Sequence, residues 1–464
     1  MFNRHFVKPL TGNGASNEGR CLHARENMAS GKARRERERQ SKGFSLGPLY
    51  AILAFILLTV SQGILCLGCY SPLTMPDPDM HVPSSWALAT GQTFTPIEEY
   101  TDAGGNQRKK QTLEYPKWLD PQAKTMHNAT ITDLMKDGLQ REVNYGQAHA
   151  TVLKSEGTVK RGMRSLQYSP LAYMPQAAGI RVGMMLHLDD WNKLQAGRLG
   201  NMCAWLILGG IAIALMPSKR WAFALVLSCP IMAFVASSLM ADAPCIIVCA
   251  LLAAAVARIV KTGRASVQAV LALTVSLILL PSLKVAYVPL MLLVLALPFR
   301  KVRVWQWIAI GLSALIGLGL EFAWMHGWQD MAIYPGVNKN DAIHAVLASP
   351  LKSLFSLLGS ITNYMFSSVT GRLTALPLLI IIAAYGAAMI RLTRVPVLTV
   401  LAVAGCLGAT ALMLLLTWTP WAGALMPLVG FQERYLLPLL PAVLIPLACG
   451  KTGGEHTSHC FQNR

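Results

Sequence analysis

The chain has 464 residues, of which 53% are hydrophobic and only 14% charged, and it carries a formal net charge of +18. Soluble domains usually hold about 25% charged residues, so the composition argues against a water-soluble globule and places most of the chain in lipid. About a third of the charge excess lies in residues 1–45, where Lys32, Arg34, Arg35, Arg37 and Arg39 are interleaved with Glu36 and Glu38. That run contains no aromatic side chain to stack on a base, so it does not read as a nucleic-acid site.

The tail reads instead as a basic cytoplasmic orientation signal in loose contact with anionic lipid, and Met28 offers an alternative start. The first apolar run, Leu46 to Gly68, follows a tail too long for a signal-peptide n-region and lacks a small-residue cleavage site. It is expected to remain as a membrane helix. Residues 69–197 form a long polar segment. Further membrane helices are expected at 199–216, 220–237, 241–258, 266–281, 285–298, 305–323, 375–390, 396–417 and 435–449. That makes about ten, near the roughly 17 to 25 apolar residues a bilayer core requires of each.

The turns between these runs alternate in charge. Lys219 and Arg220, then Arg258, Lys261 and Arg264, then Arg300, Lys301 and Arg303, then Arg391 and Arg394 occupy every second turn, as cytoplasmic loops should. The expected fold is therefore an all-α integral membrane protein of the cell membrane with a large extracytoplasmic loop after its first helix. Residues 1–45 are its cytoplasmic tail, 46–450 its polytopic domain with outer loops 69–197 and 324–374, and 451–464 a second cytoplasmic tail. Within the large loop, Leu171 to Leu188 is bounded by Tyr168, Tyr173 and Trp191 and interrupted by Pro175 and Gly179. It reads as a helix lying in the membrane interface.

Ionisable residues are scarce at the expected helix centres and gather at the outer ends: Asp77, Asp79, His81, Asp242, Lys284, Glu433 and Arg434. A proton- or ion-coupled transporter places carboxylates near the midplane, whereas an enzyme at the outer interface needs its charges on one face. In Met75-Pro76-Asp77-Pro78-Asp79-Met80-His81 the prolines push Met75 and Asp77 toward extended backbone, so Asp77 and Asp79 share a side. Asp79 is placed to cap a short helix running through Ala89 to Gly91, with Pro83 in its first turn. That leaves Asp77 as the candidate base or metal ligand; both acids being solvated is the plain alternative. Asp242 sits in a tight turn where it either caps the next helix or joins the site. Lys284 and Arg434 are cations on the wrong side for the charge rule, which a lipid phosphate would explain; an ion pair of Arg434 with Glu433 or Asp242 is the other reading.

Other motifs are silent. His127, His149, His187, His326 and His344 have no ligand spacing, and neither HExxH nor GxSxG occurs. Gly450-Lys451-Thr452 lacks the upstream glycine of a phosphate loop. Cys66 and Cys69 form a CxxC with no second pair, so they read as structural. No metal site is indicated, although a divalent cation is compatible with the acids.

Several of these residues fall in segments with a wider likeness: Pro76-Asp77 with His81, Tyr168-Ser-Pro-Leu-Ala-Tyr-Met-Pro175, Gly197-Arg198-Leu-Gly-Asn201, Asp242, Lys284 with Tyr287, and Gln432-Glu-Arg-Tyr-Leu-Leu-Pro438. In that order the chain resembles, from about residue 46 to 450, the bacterial membrane proteins of domain of unknown function 2142, which look like members of the GT-C glycosyltransferase superfamily. Two departures are Pro78 where the family usually has glutamate, and Glu433 where it has a small residue. The segment from about 100 to 165 matches nothing. The resemblance implies transfer of a sugar from a polyprenyl-phosphate carrier to a glycan, lipid or protein acceptor on the outer face. Asp77 would be the base, with Asp79, His81, Asp242, Lys284, Gln432 and Arg434 binding substrate. The rival reading is a transporter or flippase for a lipid-linked glycan.

Overall fold

The computed structural model describes residues 47–94, 97–101, 107–117, 157–162, 168–328, 396–421 and 433–449, with scattered positions at 105 and within 344–359. The described residues from 51 to 449 belong to one compact unit. The fold is predominantly helical. Helix α1 (Gly47–Cys69) buries Ala51, Phe55, Thr59, Gly63 and Cys66 on one narrow stripe at helical spacing. Around that stripe Leu57 is 69% and Leu65 63% exposed, which only a lipid environment makes favourable for so continuous an apolar surface.

After α1 comes α2 (Pro78–Thr90), ended by Gly91 in the left-handed conformation that a helix stop favours. It leads into an antiparallel three-stranded sheet of β1 (Ile97–Thr101), β2 (Gln107–Pro116) and β3 (Thr158–Gly162), in that order. The register pairs Glu98 with Lys110 and Glu99 with Lys109 across β1 and β2. The sheet is tied to the end of α2 by Gln92, which donates to the Glu114 carbonyl and accepts from its N–H, both at 2.8 Å. The expected all-α fold did not include this small sheet, which lies within residues 69–197.

Helices α3 (Met174–Met185) and α4 (Asp190–Leu215) pack as a close hairpin. A Cβ on Gly179 would overlap the Ala196 carbonyl and one on Gly200 the Pro175 carbonyl, so glycine lets the two backbones touch. The expected interfacial helix is thus half of a hairpin, and α4 begins nine residues before the expected span because Asp189 caps it, accepting from Asn192 N–H at 2.8 Å. The expected span 220–237 is two short helices, α5 (Arg220–Leu227) and α6 (Pro230–Ala236). Pro230 lacks the donor that would continue the first, and Cys229 before it is extended.

Helix α7 (Asp242–Thr262) is the central post, buried on nearly every side. After it come α8 (Val267–Leu283), which packs on α7, a 3₁₀ run at Val285–Ala296, α9 (Val304–Trp328), which packs on α8, α10 (Pro396–Trp421), which packs on the 3₁₀ run, and, after a 3₁₀ turn at Glu433–Leu439, α11 (Leu440–Cys449), which again packs on α7. Gly405 and Gly408 of α10 admit Pro289 of the 3₁₀ run. Among the described residues four helical stretches, Gly47–Cys69, Asp190–Leu215, Asp242–Thr262 and Val304–Gly327, are long and apolar enough to cross a membrane, and four apolar ones are shorter. The expected span 375–390 lies outside the described residues.

The bundle has two unlike ends. At one, Lys261 Nζ donates to the Cys449 carbonyl at 3.3 Å, Ser218 Oγ to that of Ala448, and Gln306 Nε2 to that of Ala265 at 2.9 Å. These bonds gather the basic turns at 218–220, 258–265 and 300–306; the turn with Arg391 and Arg394 lies outside the described residues. At the other end α1 and α8 finish while α7 and the Glu433–Leu439 turn begin.

Candidate functional site

That second end holds the charged residues. Helix α2 starts at Pro78, so its N-cap position belongs to Asp77, not Asp79 as the spacing suggested. Asp77 has φ 50° and ψ 50° and makes no side-chain cap bond; its carbonyl accepts from Met80 and His81 N–H at 3.0 and 3.1 Å. A left-handed conformation costs a non-glycine residue about 1 kcal/mol, and here it turns the carboxylate out of the capping position onto Arg434. Asp77 is therefore neither extended nor free. Pro83 lies inside α2, beyond its first turn.

Arg434, on the Glu433–Leu439 turn, is 1% exposed. Its Nη2 bonds to Asp77 Oδ2, and Nη1 lies 3.1 Å from Asp242 Oδ2, 3.2 Å from Met240 Sδ and 3.5 Å from His81 Nε2. The Asp242 contact is an ion pair without hydrogen-bond alignment. Asp242 Oδ2 and Arg434 Nε consequently have no hydrogen-bond partner among the described residues. Lys284, at the foot of α8, donates to Asp242 Oδ1 at 2.8 Å and lies 4.3 Å from the Tyr435 ring centre and 5.7 Å from that of Tyr168. Among the described residues two acids and two cations thus form one balanced cluster. The plain alternative of an Arg434–Asp242 pair is realised, but as part of this larger group.

His81, 2% exposed, sits on the first turns of α2 with Nδ1 2.9 Å from Tyr173 Oη. Burial, and then the Arg434 charge, push it down to about 4, so it is neutral at neutral pH. Because Arg434 can only donate, His81 Nε2 accepts and Nδ1–H donates to Tyr173. Burial likewise lifts the Tyr168 hydroxyl to about 12, and that ring stacks on His81 with centres 6.0 Å apart.

The frame behind these groups is a second set of polar residues. Arg198 of α4 donates to the carbonyls of Ser237 at 2.6 Å, Tyr70 at 2.7 Å and Cys66 at 2.9 Å, and to Gln195 Oε1 at 3.0 Å. It ties the end of α1, from which the chain runs to Asp77, to the turn that precedes Asp242. Asn201 and Gln176 hold the same turn through the carbonyls of Ser238 at 2.8 Å and Met240 at 2.9 Å. Tyr287 Oη donates to the Tyr435 carbonyl at 2.7 Å, fixing Lys284 and Arg434 side by side.

Of the residues singled out in the sequence, the structure brings together Asp77, His81, Asp242, Lys284 and Arg434. Gln432 and the side chain of Asp79 lie outside the described residues. Sequence reasoning did not place Tyr168, Tyr173, Tyr287, Tyr435 and Met240 in the site, although the first four stand within the motifs carrying the resemblance. Among the described residues no three His, Cys, Asp or Glu side chains gather as a metal site would require.

A family described as predicted membrane protein (DUF2142) matches residues 60–443, a span that contains the whole cluster and its frame. The chain belongs to that family. No curated protein and no solved structure matches it. As a DUF2142 member with long apolar helices it is a membrane protein, and the cluster stands where those helices end.

Proposed function

We propose that this protein is a glycosyltransferase of the GT-C kind, moving a sugar from a polyprenyl-phosphate carrier to an acceptor on the extracytoplasmic side of the cell membrane. The observation that carries this reading is the position of Asp77. It is the most accessible member of the cluster, with a side chain 25% exposed against 13% for Lys284, 2% for Arg434 and 1% for Asp242, and it touches a buried cation. A carboxylate beside an arginine suits a transfer in which one partner takes a proton while the other meets a phosphate. The extracytoplasmic placement is supported by the opposite end of the bundle, where the basic turns gather as cytoplasmic loops do.

In the reaction the acceptor hydroxyl oxygen bonds the anomeric carbon and gives its proton to Asp77. The bond from that carbon to the phosphate oxygen breaks, and its electron pair stays on the phosphate. A phosphodiester monoanion becomes a phosphomonoester dianion, and Arg434 and Lys284 balance the added charge. The carrier tail lies in lipid beside the helices.

The test is sugar transfer from polyprenyl-phosphate donors by the purified protein. Asp77→Asn keeps the size of the side chain and removes the proton acceptor, which is expected to lower the rate by about 10² to 10⁴ in protein that remains folded. Full activity in that variant would remove the base and with it this reading.

A further inference from the structure

A guanidinium carries five N–H donors, and Arg434 leaves several of them poorly matched. Among the described residues only Nη2 makes a hydrogen bond to a carboxylate, that of Asp77. Nη1 is spread over a thioether, an imidazole at 3.5 Å and a misaligned carboxylate, and Nε has no partner among the described residues. Lys284 directs one N–H to Asp242 and stands against two aromatic rings. Buried donors left unmatched cost about 1 to 3 kcal/mol each. An anion presenting several oxygens, as a phosphate does, would match them, and arginine takes such groups through parallel bonds.

The two acids differ in how firmly they are held. Asp242 is 1% exposed, bridges both cations, and follows a turn pinned by Arg198, Asn201 and Gln176. Asp77 is partly exposed, has a left-handed backbone and bonds to Arg434. An incoming phosphate on Arg434 repels both, and the one able to leave is Asp77.

We infer that the carrier phosphate and the Asp77 carboxylate compete for Arg434, so that binding of the donor itself releases the base. The inference rests on the glycosyltransferase reading and adds an order to it. While Asp77 is paired with Arg434 the guanidinium stabilises its ionised form, so it is a poorer base toward an acceptor hydroxyl. Once phosphate oxygens occupy the Arg434 donors, Asp77 turns outward and takes that proton as the sugar is transferred. The donor therefore binds first and the acceptor second.

The competition is read from binding. The full chain in detergent micelles is titrated with a polyprenyl monophosphate, with the matching polyprenol and with inorganic phosphate, for the wild type and Asp77→Asn. Removing the internal competitor is expected to tighten the polyprenyl monophosphate about tenfold, the scale of one partly buried ion pair, and to leave the polyprenol unchanged. Unchanged or weaker binding of the polyprenyl monophosphate in Asp77→Asn overturns the inference, as does wild-type binding of inorganic phosphate as tight as that of the polyprenyl monophosphate, which would make the ligand a free anion. Hydrogen exchange on the wild type keeps the test independent of how the variant folds. Polyprenyl monophosphate should speed exchange at residues 77–82 and slow it at 433–440, whereas protection of both segments overturns the inference. Sugar transfer by the wild type, measured beside these, bears on the glycosyltransferase reading alone.

Discussion

Arg198 is 2% exposed and Arg434 1%, yet the regions around them are built on different principles. Arg198 bonds to three backbone carbonyls and an amide at 2.6 to 3.0 Å, joining α1, α4 and the turn before α7. Arg434 has a thioether, a distant imidazole, an off-angle carboxylate and the partly exposed Asp77. Carbonyl partners are fixed by the fold and cannot leave, which suits a brace. Side-chain carboxylates can turn away, which suits a site where a substrate replaces them. Burial alone therefore does not distinguish a structural cation from a working one; the nature of its partners does.

The largest effect expected from testing this contrast is at the brace. Arg198→Lys keeps the charge, but an ammonium at one point cannot reach carbonyls on three separate segments. Hydrogen bonds to charged groups contribute about 1.5 to 3 kcal/mol each, so losing two of them should destabilise the protein by about 3 kcal/mol or more. Denaturant unfolding in detergent would measure it. The Michaelis constant for the donor in the folded fraction should stay near that of the wild type. A large change in that constant with normal stability would reverse the roles assigned to the two arginines.

A pH effect of similar size is expected at His81, which links the two halves of the site through Tyr173 and Arg434. Its folded value near 4 lies below the ordinary 6.5, so between these values the unfolded chain binds a proton that the folded one refuses. Stability should therefore be full above about pH 6.5 and fall as the pH drops toward 4, by up to about 3 kcal/mol. His81→Gln, which cannot ionise, should flatten that acid limb even if it lowers stability at neutral pH. An unaltered slope in the variant would assign the acid sensitivity to other groups.

Much of the site was legible because charge beside apolar runs is costly and so stands out. Asp242, Lys284 and Arg434 drew attention for that reason, and the limits expected for α7 and α8, 241–258 and 266–281, lie close to Asp242–Thr262 and Val267–Leu283. What escaped has physical reasons too. The partners of Arg198 are backbone carbonyls, which no residue letter reveals. Hydropathy is the same for a 3₁₀ run as for an α-helix, so Val285–Ala296 read as an ordinary span. Averaging over 220–237 hid the break at Pro230. The capping pattern favoured Asp79 because capping is the ordinary use of an acid before a helix. Asp77 takes that position with strained backbone, since its carboxylate pairs with a residue 357 positions away. The tyrosines lay in noted segments, but aromatic residues are common at membrane interfaces and nothing in their spacing tied them to the charges.

The smallest expected effect is the one that separates the two arginines most sharply, because it is the same substitution made at the other site. Arg434→Lys preserves the charge that balances Asp77 and Asp242, and the guanidinium it removes held few aligned bonds, so the melting profile should move little. What it loses is the planar fork that can meet two phosphate oxygens at once. A missing charge-assisted hydrogen bond of about 1.4 kcal/mol corresponds to about a tenfold rise in the Michaelis constant for the donor. The turnover at saturating donor should fall less, since the lysine charge still opposes the dianion that forms. The pair of lysine variants then gives a crossed pattern, with stability lost at 198 and donor affinity lost at 434. If Arg434→Lys instead unfolds the protein as Arg198→Lys does while sparing donor use, Arg434 is a second brace, and the cluster holds the helix ends together without meeting a phosphate.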